Sequence, residues 1–202
     1  PPKLEVKVES LAEIMQRLSI DPRVKMDDSE RPSTGDAAGD LKRLEATLLF
    51  FNAMVKGDAT ALRPMLDPAD QSTLDLMLKD GQWKRATAGI DRVTVGCAGG
   101  SEPDTFLVLA TYMIGDHFDT QLWSVKSPAG GEQNVFAAQP SGPRMAEQLK
   151  GTKAEARIQQ WLKMIKAYDD VAKQPDEKVL ASQQDRSIEG DTSDASEPSS
   201  PA

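Results

Sequence analysis

Tyr112, His117, Asp119, Gln121 and Trp123 lie within a short stretch and carry the side chains that acid–base chemistry uses. Residues 117, 119, 121 and 123 share one face if the segment is a strand, because side chains alternate with a period of two. Tyr112 joins that face across a turn at Gly115-Asp116. The chemistry such a set offers is a ligand pocket: an aromatic floor, His117 as general acid or base, and Asp119 as the carboxylate that orients it. A plainer reading is preferred. Polar residues are expected beside a turn, and Tyr112 with Trp123 are the kind of aromatic residues that pack beneath a helix. No residue is assigned a catalytic role on this basis, and a one-residue register slip would separate the group.

Other chemistry is limited by residue type. His117 is the single histidine, which excludes a His-rich zinc site, and Asp116-His-Phe-Asp119 offers too few ligands for a metal. Cys97 is the single cysteine, so no intrachain disulfide is available; among Val93, Val95 and Gly96 it reads as a small core residue. Gly99-Gly100 and Gly130-Gly131 are turn glycines, and neither leads into a helix as a phosphate-binding loop does. No metal and no cofactor are expected.

The elements around the candidate residues are legible from spacing. Thr105–Ile114 and His117–Lys126 are β-favouring runs flanking Gly115-Asp116, a two-residue connection suited to a primed turn. In that register Ile114 faces His117, Tyr112 faces Asp119, Ala110 faces Gln121 and Val108 faces Trp123. The opposite face carries Leu107, Leu109, Thr111, Met113, Phe118, Thr120, Leu122 and Ser124. Both faces are partly apolar, so each needs a cover.

Taken in order, Ser10-Leu-Ala-Glu13 is a capping box opening a short helix within residues 1–20. Residues 21–39 are polar and punctuated by proline and glycine, and read as a linker. Asp40 is placed as the cap of a helix over Leu41–Lys56, whose wide apolar stripe belongs to a helix buried on most sides. Asp58 caps a short helix to Leu66, and Asp67-Pro68 starts a third that closes at Gly81. Period-two alternation from Ile90 gives a strand, the hairpin follows, and Asn134–Ala138 is a last short strand. Four antiparallel strands after three helices make an α+β layer pair over residues 40–140.

Residues 141–174 read as a C-terminal helical segment. Thr152-Lys-Ala-Glu155 is a second capping box, and Ile158, Trp161 and Ile165 lead a regular three-four apolar stripe to Lys173. These three residues are the candidate partner-binding set. The stripe is nevertheless expected to lie within the chain, on the sheet around Val108, Ala110 and Trp123, with the same helix of a second copy as the alternative receiver. Residues 175–202 hold seven acids and two bases with few apolar residues, and read as a disordered acidic tail.

The formal net charge is −8, and residues 144–173, with seven bases and four acids, are the basic exception. An acidic body argues against a nucleic-acid surface. No run approaches the length of apolar residues that a membrane span needs. The chain opens Pro-Pro-Lys, which suggests a trimmed or mature fragment, so any signal peptide or anchor would have been lost with the missing piece.

The segment Leu48-Leu-Phe-Phe-Asn-Ala-Met-Val-Lys-Gly-Asp-Ala-Thr-Ala-Leu-Arg-Pro-Met-Leu66 resembles the opening of NTF2-like (SnoaL-like, cystatin-like cone) domains. The resemblance implies a long helix ending in Gly-Asp, a short helix, and a curved antiparallel sheet wrapped around them. The small export-associated members without assigned activity look most similar. Ketosteroid-isomerase-like enzymes of that superfamily use a Tyr on the first helix; here Phe50 and Phe51 stand there, so that chemistry does not carry over. The functional expectation is a non-catalytic interaction or accessory domain, with a protein partner or self-association and an extracytoplasmic setting favoured. The alternative is a small-molecule binder or isomerase-like enzyme using the cone cavity.

Overall fold

The computed structural model describes residues 8–128 and 133–173. The chain divides into two compact units, one ending at Ile165 and one beginning at Lys166. In the first unit the described elements run α1 (Leu11–Arg17), β1 (Val24–Met26), α2 (Ala37–Val55), α3 (Ala59–Leu62), α4 (Pro68–Lys79), α5 (Gln82–Ala88), β2 (Ile90–Gly99), β3 (Thr105–Ile114), β4 (His117–Lys126), β5 (Val135–Ala138) and α6 (Met145–Gln148). Helix α7 (Ala154–Ala172) follows and continues into the second unit.

The α+β class is as expected, but the sheet differs from the four-stranded antiparallel one. Its described strands number five, in the open order β1-β2-β3-β4-β5. β1 is the added strand, and it pairs parallel with β2, Val24 opposite Val93 and Met26 opposite Val95. It lies in residues 21–39, where a linker was expected. Three residues are too few to show a period. What anchors them is tertiary: Val24 is fully buried, Asp21 N–H donates to Asn52 Oδ1 on α2, and Val93 N–H donates to Arg23 O. The remaining pairs are antiparallel.

The β3–β4 register is the one the turn dictates: Ile114 pairs with His117, Tyr112 with Asp119, Ala110 with Gln121 and Val108 with Trp123. Gly115 has φ 61°, which its missing Cβ permits at the first position of a II′ turn. One residue is bulged at Asp91, between the pairs Ile90–Ile114 and Arg92–Met113, and its carboxylate accepts the Gly115 N–H at 3.0 Å.

Several caps form as their residues specify. Ser10 and Glu13 make the reciprocal capping-box bonds, Asp58 Oδ1 accepts from Ala61 N–H, and Asp67 Oδ1 accepts from Asp70 N–H ahead of Pro68. Two others differ. Helix α2 starts earlier than Leu41, so Asp40 sits in its first turn and its carboxylate instead holds the backbone and hydroxyl of Thr34. At α7 the first N–H, that of Ala154, is taken by Glu30 Oε2 from the far side of the chain rather than by a local box at Thr152 and Glu155. Helix α5 had no sequence signal. It is held by Trp83, whose Nε1 donates to Gly57 O at 2.9 Å.

Each sheet face has its own cover. The face bearing Val93, Val95, Val108, Ala110, Tyr112, Trp123 and Val125 buries against α1 and α2, where Ile14, Leu44, Leu48, Phe50 and Phe51 are fully enclosed. The other face, through Leu109 and Leu122, buries against Met145, Leu149, Ala154, Ile158 and Trp161. The intramolecular receiver of α7 is therefore not Val108, Ala110 and Trp123. Those residues share the α2 face, since alternation puts Leu109 and Leu122 on the opposite side from Val108 and Trp123. The expected tail, 175–202, lies outside the described residues.

Candidate functional site

The hairpin places Tyr112, His117, Asp119, Gln121 and Trp123 on one face, yet it does not converge them on a ligand. His117 stands at the tip with its side chain 67% exposed, its Nδ1 3.7 Å from Asp116 Oδ1. Asp119 is exposed, and its Oδ1 accepts the Thr120 N–H at 2.8 Å. That N–H points away from β3, along the part of β4 that the short β5 leaves unpaired. Asp119 thus blunts a free strand edge. Gln121 acts similarly where β5 pairing ends, its Nε2 donating to Leu122 O and Gln139 O at 2.8 and 2.9 Å.

Tyr112 and Trp123 belong to the interior. The Tyr112 hydroxyl donates to Met54 Sδ at 2.9 Å, and burial pushes its pKa well above the usual phenol range. Trp123 Nε1 is buried beside the same hydroxyl, whose oxygen keeps its lone pairs free while its proton goes to Met54, and this nearness opposes the rise. The Trp123 ring meets Phe50 edge-on at 4.9 Å, and Phe50 stacks on Phe136 at 4.0 Å and crosses Phe51 at 5.1 Å. These rings take up part of the space between α2 and the sheet.

The candidate partner-binding residues are accounted for within the chain. Ile158 and Trp161 are fully buried, and Trp161 Nε1 donates to Pro140 O at 3.0 Å, so neither presents a surface. Ile165 is half-buried beside them. In the second unit the described helix residues leave Tyr168 and Val171 exposed.

Nucleophile and metal chemistry find little support in the geometry. Cys97 is buried, and the loss of solvation, with the Glu30 charge nearby, pushes its thiol far above its ordinary value. Among the described residues no group of three or more His, Cys, Asp or Glu side chains is placed to hold a metal ion. No described helix is long and apolar enough to cross a membrane.

Of the clefts among the described residues, two gather side chains that the sequence did not group. One, of about 170 Å³, lies where α7 begins against β2 and is lined by Asp27, Glu30, Gly96, Lys153, Ala154 and Arg157. Its charges are mutually engaged: Lys153 Nζ is 3.8 Å from Glu30 Oε1, and Arg157 donates to Thr111 Oγ1. Burial lowers the Arg157 pKa, partly offset by Glu30. This cleft is a structural brace.

The other cleft, of about 180 Å³, is walled by Met54, Leu74, Met77, Trp83 and Trp123, with Asp70 at its rim. The Asp70 carboxylate reaches across to β5 and accepts Ala138 N–H at 2.7 Å, while Asp67 N–H donates to Phe136 O. Loss of solvation, with the Asp67 carboxylate beside it, raises the Asp70 pKa above the ordinary carboxyl value; the Ala138 bond opposes the rise. In the sequence Asp70 was one more acid in the first turn of a helix, an ordinary position for one. Only the packing of α4 on β5 moves it beside an apolar hollow. No family model, no curated protein and no solved structure matches the chain.

Proposed function

We propose that the chain is a non-catalytic interaction or accessory domain of NTF2-like fold. Supporting the fold assignment, a long helix ending at Gly57-Asp58 and a short helix precede an antiparallel meander whose face packs on that long helix. The parallel strand β1 is a departure from that pattern. The observation that carries the functional reading is that the candidate polar residues do not converge: Tyr112 and Trp123 are packed with the Phe50, Phe51 and Phe136 rings, and His117 at the hairpin tip faces solvent.

The surface that best fits a partner is the end of α7, where Tyr168 and Val171 carry on the apolar stripe in exposed positions. A photo-crosslinking residue at Val171 is expected to capture one defined adduct, a second copy or another protein, that the same residue at Glu155 does not. Equal capture at both positions would remove this surface from consideration. A substrate turnover abolished by Tyr112→Phe or His117→Ala, with the circular dichroism unchanged, would overturn the non-catalytic reading.

A further inference from the structure

The cleft at Asp70 goes beyond the interaction reading, and its argument does not depend on what Val171 docks. Size comes first. A cavity of about 150 Å³ lined by aliphatic and aromatic side chains is enough to hold benzene, and this one measures about 180 Å³. The hollow can therefore seat a body about the size of one ring.

Wall chemistry comes next. Leu74 supplies fixed aliphatic surface, whereas Met54 and Met77 have the unbranched, polarisable side chains that adapt to an irregular guest. Trp83 and Trp123 add two indoles, the ring type on which a cation sits best. The lining contains no Lys or Arg, so the sole charged side chain in it is Asp70, reinforced by Asp67 beside it.

We propose that this cleft binds a small organic amine: an ammonium group held beside the Asp70 carboxylate, on an apolar body about the size of one ring set between Leu74, Met77 and the indoles of Trp83 and Trp123. An ammonium gains from a half-buried carboxylate what a neutral group of the same shape does not, since the charge pair is screened less there than in open water. Selectivity for the cation, more than raw affinity, is the signature.

The test is a titration followed by amide NMR shifts, with benzylamine as the probe and benzyl alcohol as its neutral counterpart. Benzylamine is expected to give saturable shifts centred on Leu74, Met77 and Ala138 and to bind at least about tenfold more tightly than benzyl alcohol, a difference of about 1.4 kcal/mol. Asp70→Asn keeps an acceptor for the Ala138 N–H and is expected to bring the two probes within about twofold of each other. Leu74→Trp, which fills the hollow, is expected to abolish both titrations; Met77→Trp serves the same end if that variant does not fold. Absence of saturable shifts with benzylamine, equal binding of the two probes, or a preference that survives Asp70→Asn would each overturn the proposal.

Discussion

Gly96 on β2 and Ala154 at the start of α7 approach so closely that a Cβ added to Gly96 would lie 2.4 Å from the Ala154 Cβ and 3.0 Å from Glu30 Oε2. The strand glycine is thus a docking notch for the helix that covers the second sheet face. The Glu30 bond to Ala154 N–H holds the helix in the notch. Gly96→Ala should cost about 1–3 kcal/mol, the range for overpacking a site that cannot relax freely. Urea unfolding measures it, and a cost below about 0.5 kcal/mol, that of an ordinary surface change, would show that α7 slides easily.

Trp161→Ala should be among the more damaging single substitutions on α7. The indole is fully buried against Leu109 and Leu122 and loses its bond to Pro140 O as well. A cost of about 3–5 kcal/mol is expected for truncating a buried aromatic residue. Because the packing is within one chain, the cost should not vary with protein concentration. Sedimentation showing a dimer that Trp161→Ala splits into folded monomers would contradict it.

His117→Ala should change stability by less than about 0.5 kcal/mol, as expected of a side chain that meets mostly water. Thermal unfolding of the two proteins side by side decides the matter. A larger loss would mean that the tip of the hairpin packs on something.

Asp21 provides an acid-side test. The Arg23 guanidinium, bonded to the carboxylate at 3.0 Å, lowers its pKa from 3.8 to about 2. A depressed carboxyl stabilises the fold above its unfolded pKa and loses that contribution as pH falls through the folded one. Asp21→Asn should therefore be less stable than the parent at pH 7, by about 1 kcal/mol after allowing for screening at the partly exposed guanidinium. The gap should close between about pH 4 and pH 2. A gap that stays constant over that window would assign the loss to packing instead.

Asp70 should behave in the opposite sense. Its carboxyl is raised by lost solvation, so the folded state binds that proton more tightly than the unfolded chain does. This contribution is largest at acid pH and is lost as pH rises through the folded value. Asp70→Asn should accordingly be at least as stable as the parent at pH 7, with the advantage shrinking as both are taken to acid pH. A less stable Asp70→Asn at neutral pH would show that the ionised carboxylate has a partner stronger than the Ala138 N–H.

The sequence by itself determined what depends on neighbours along the chain. A two-residue turn with glycine at its first position fixes the β3–β4 register, and with it the face each hairpin residue takes, because strand side chains alternate. Ser10, Asp58 and Asp67 fix helix starts for the same local reason, a side-chain oxygen within reach of the next turn's N–H. Only the tertiary structure decided the rest. β1 is three residues long and exists because Arg23 and Val24 meet β2, not because of any period of its own. The α7 N-terminus passes over the capping residues beside it in favour of Glu30, more than a hundred positions away in the chain. The five residues first grouped as a site share a face as the turn required, but sharing a face is not facing a cavity. Packing of α2 sealed Tyr112 and Trp123 inside, and the unpaired end of β4 left His117 and Asp119 in solvent. Asp70 shows the converse. An ordinary first-turn acid in sequence, it becomes a half-buried carboxylate at an apolar cleft because α4 is joined to β5, a long-range contact that local spacing does not encode.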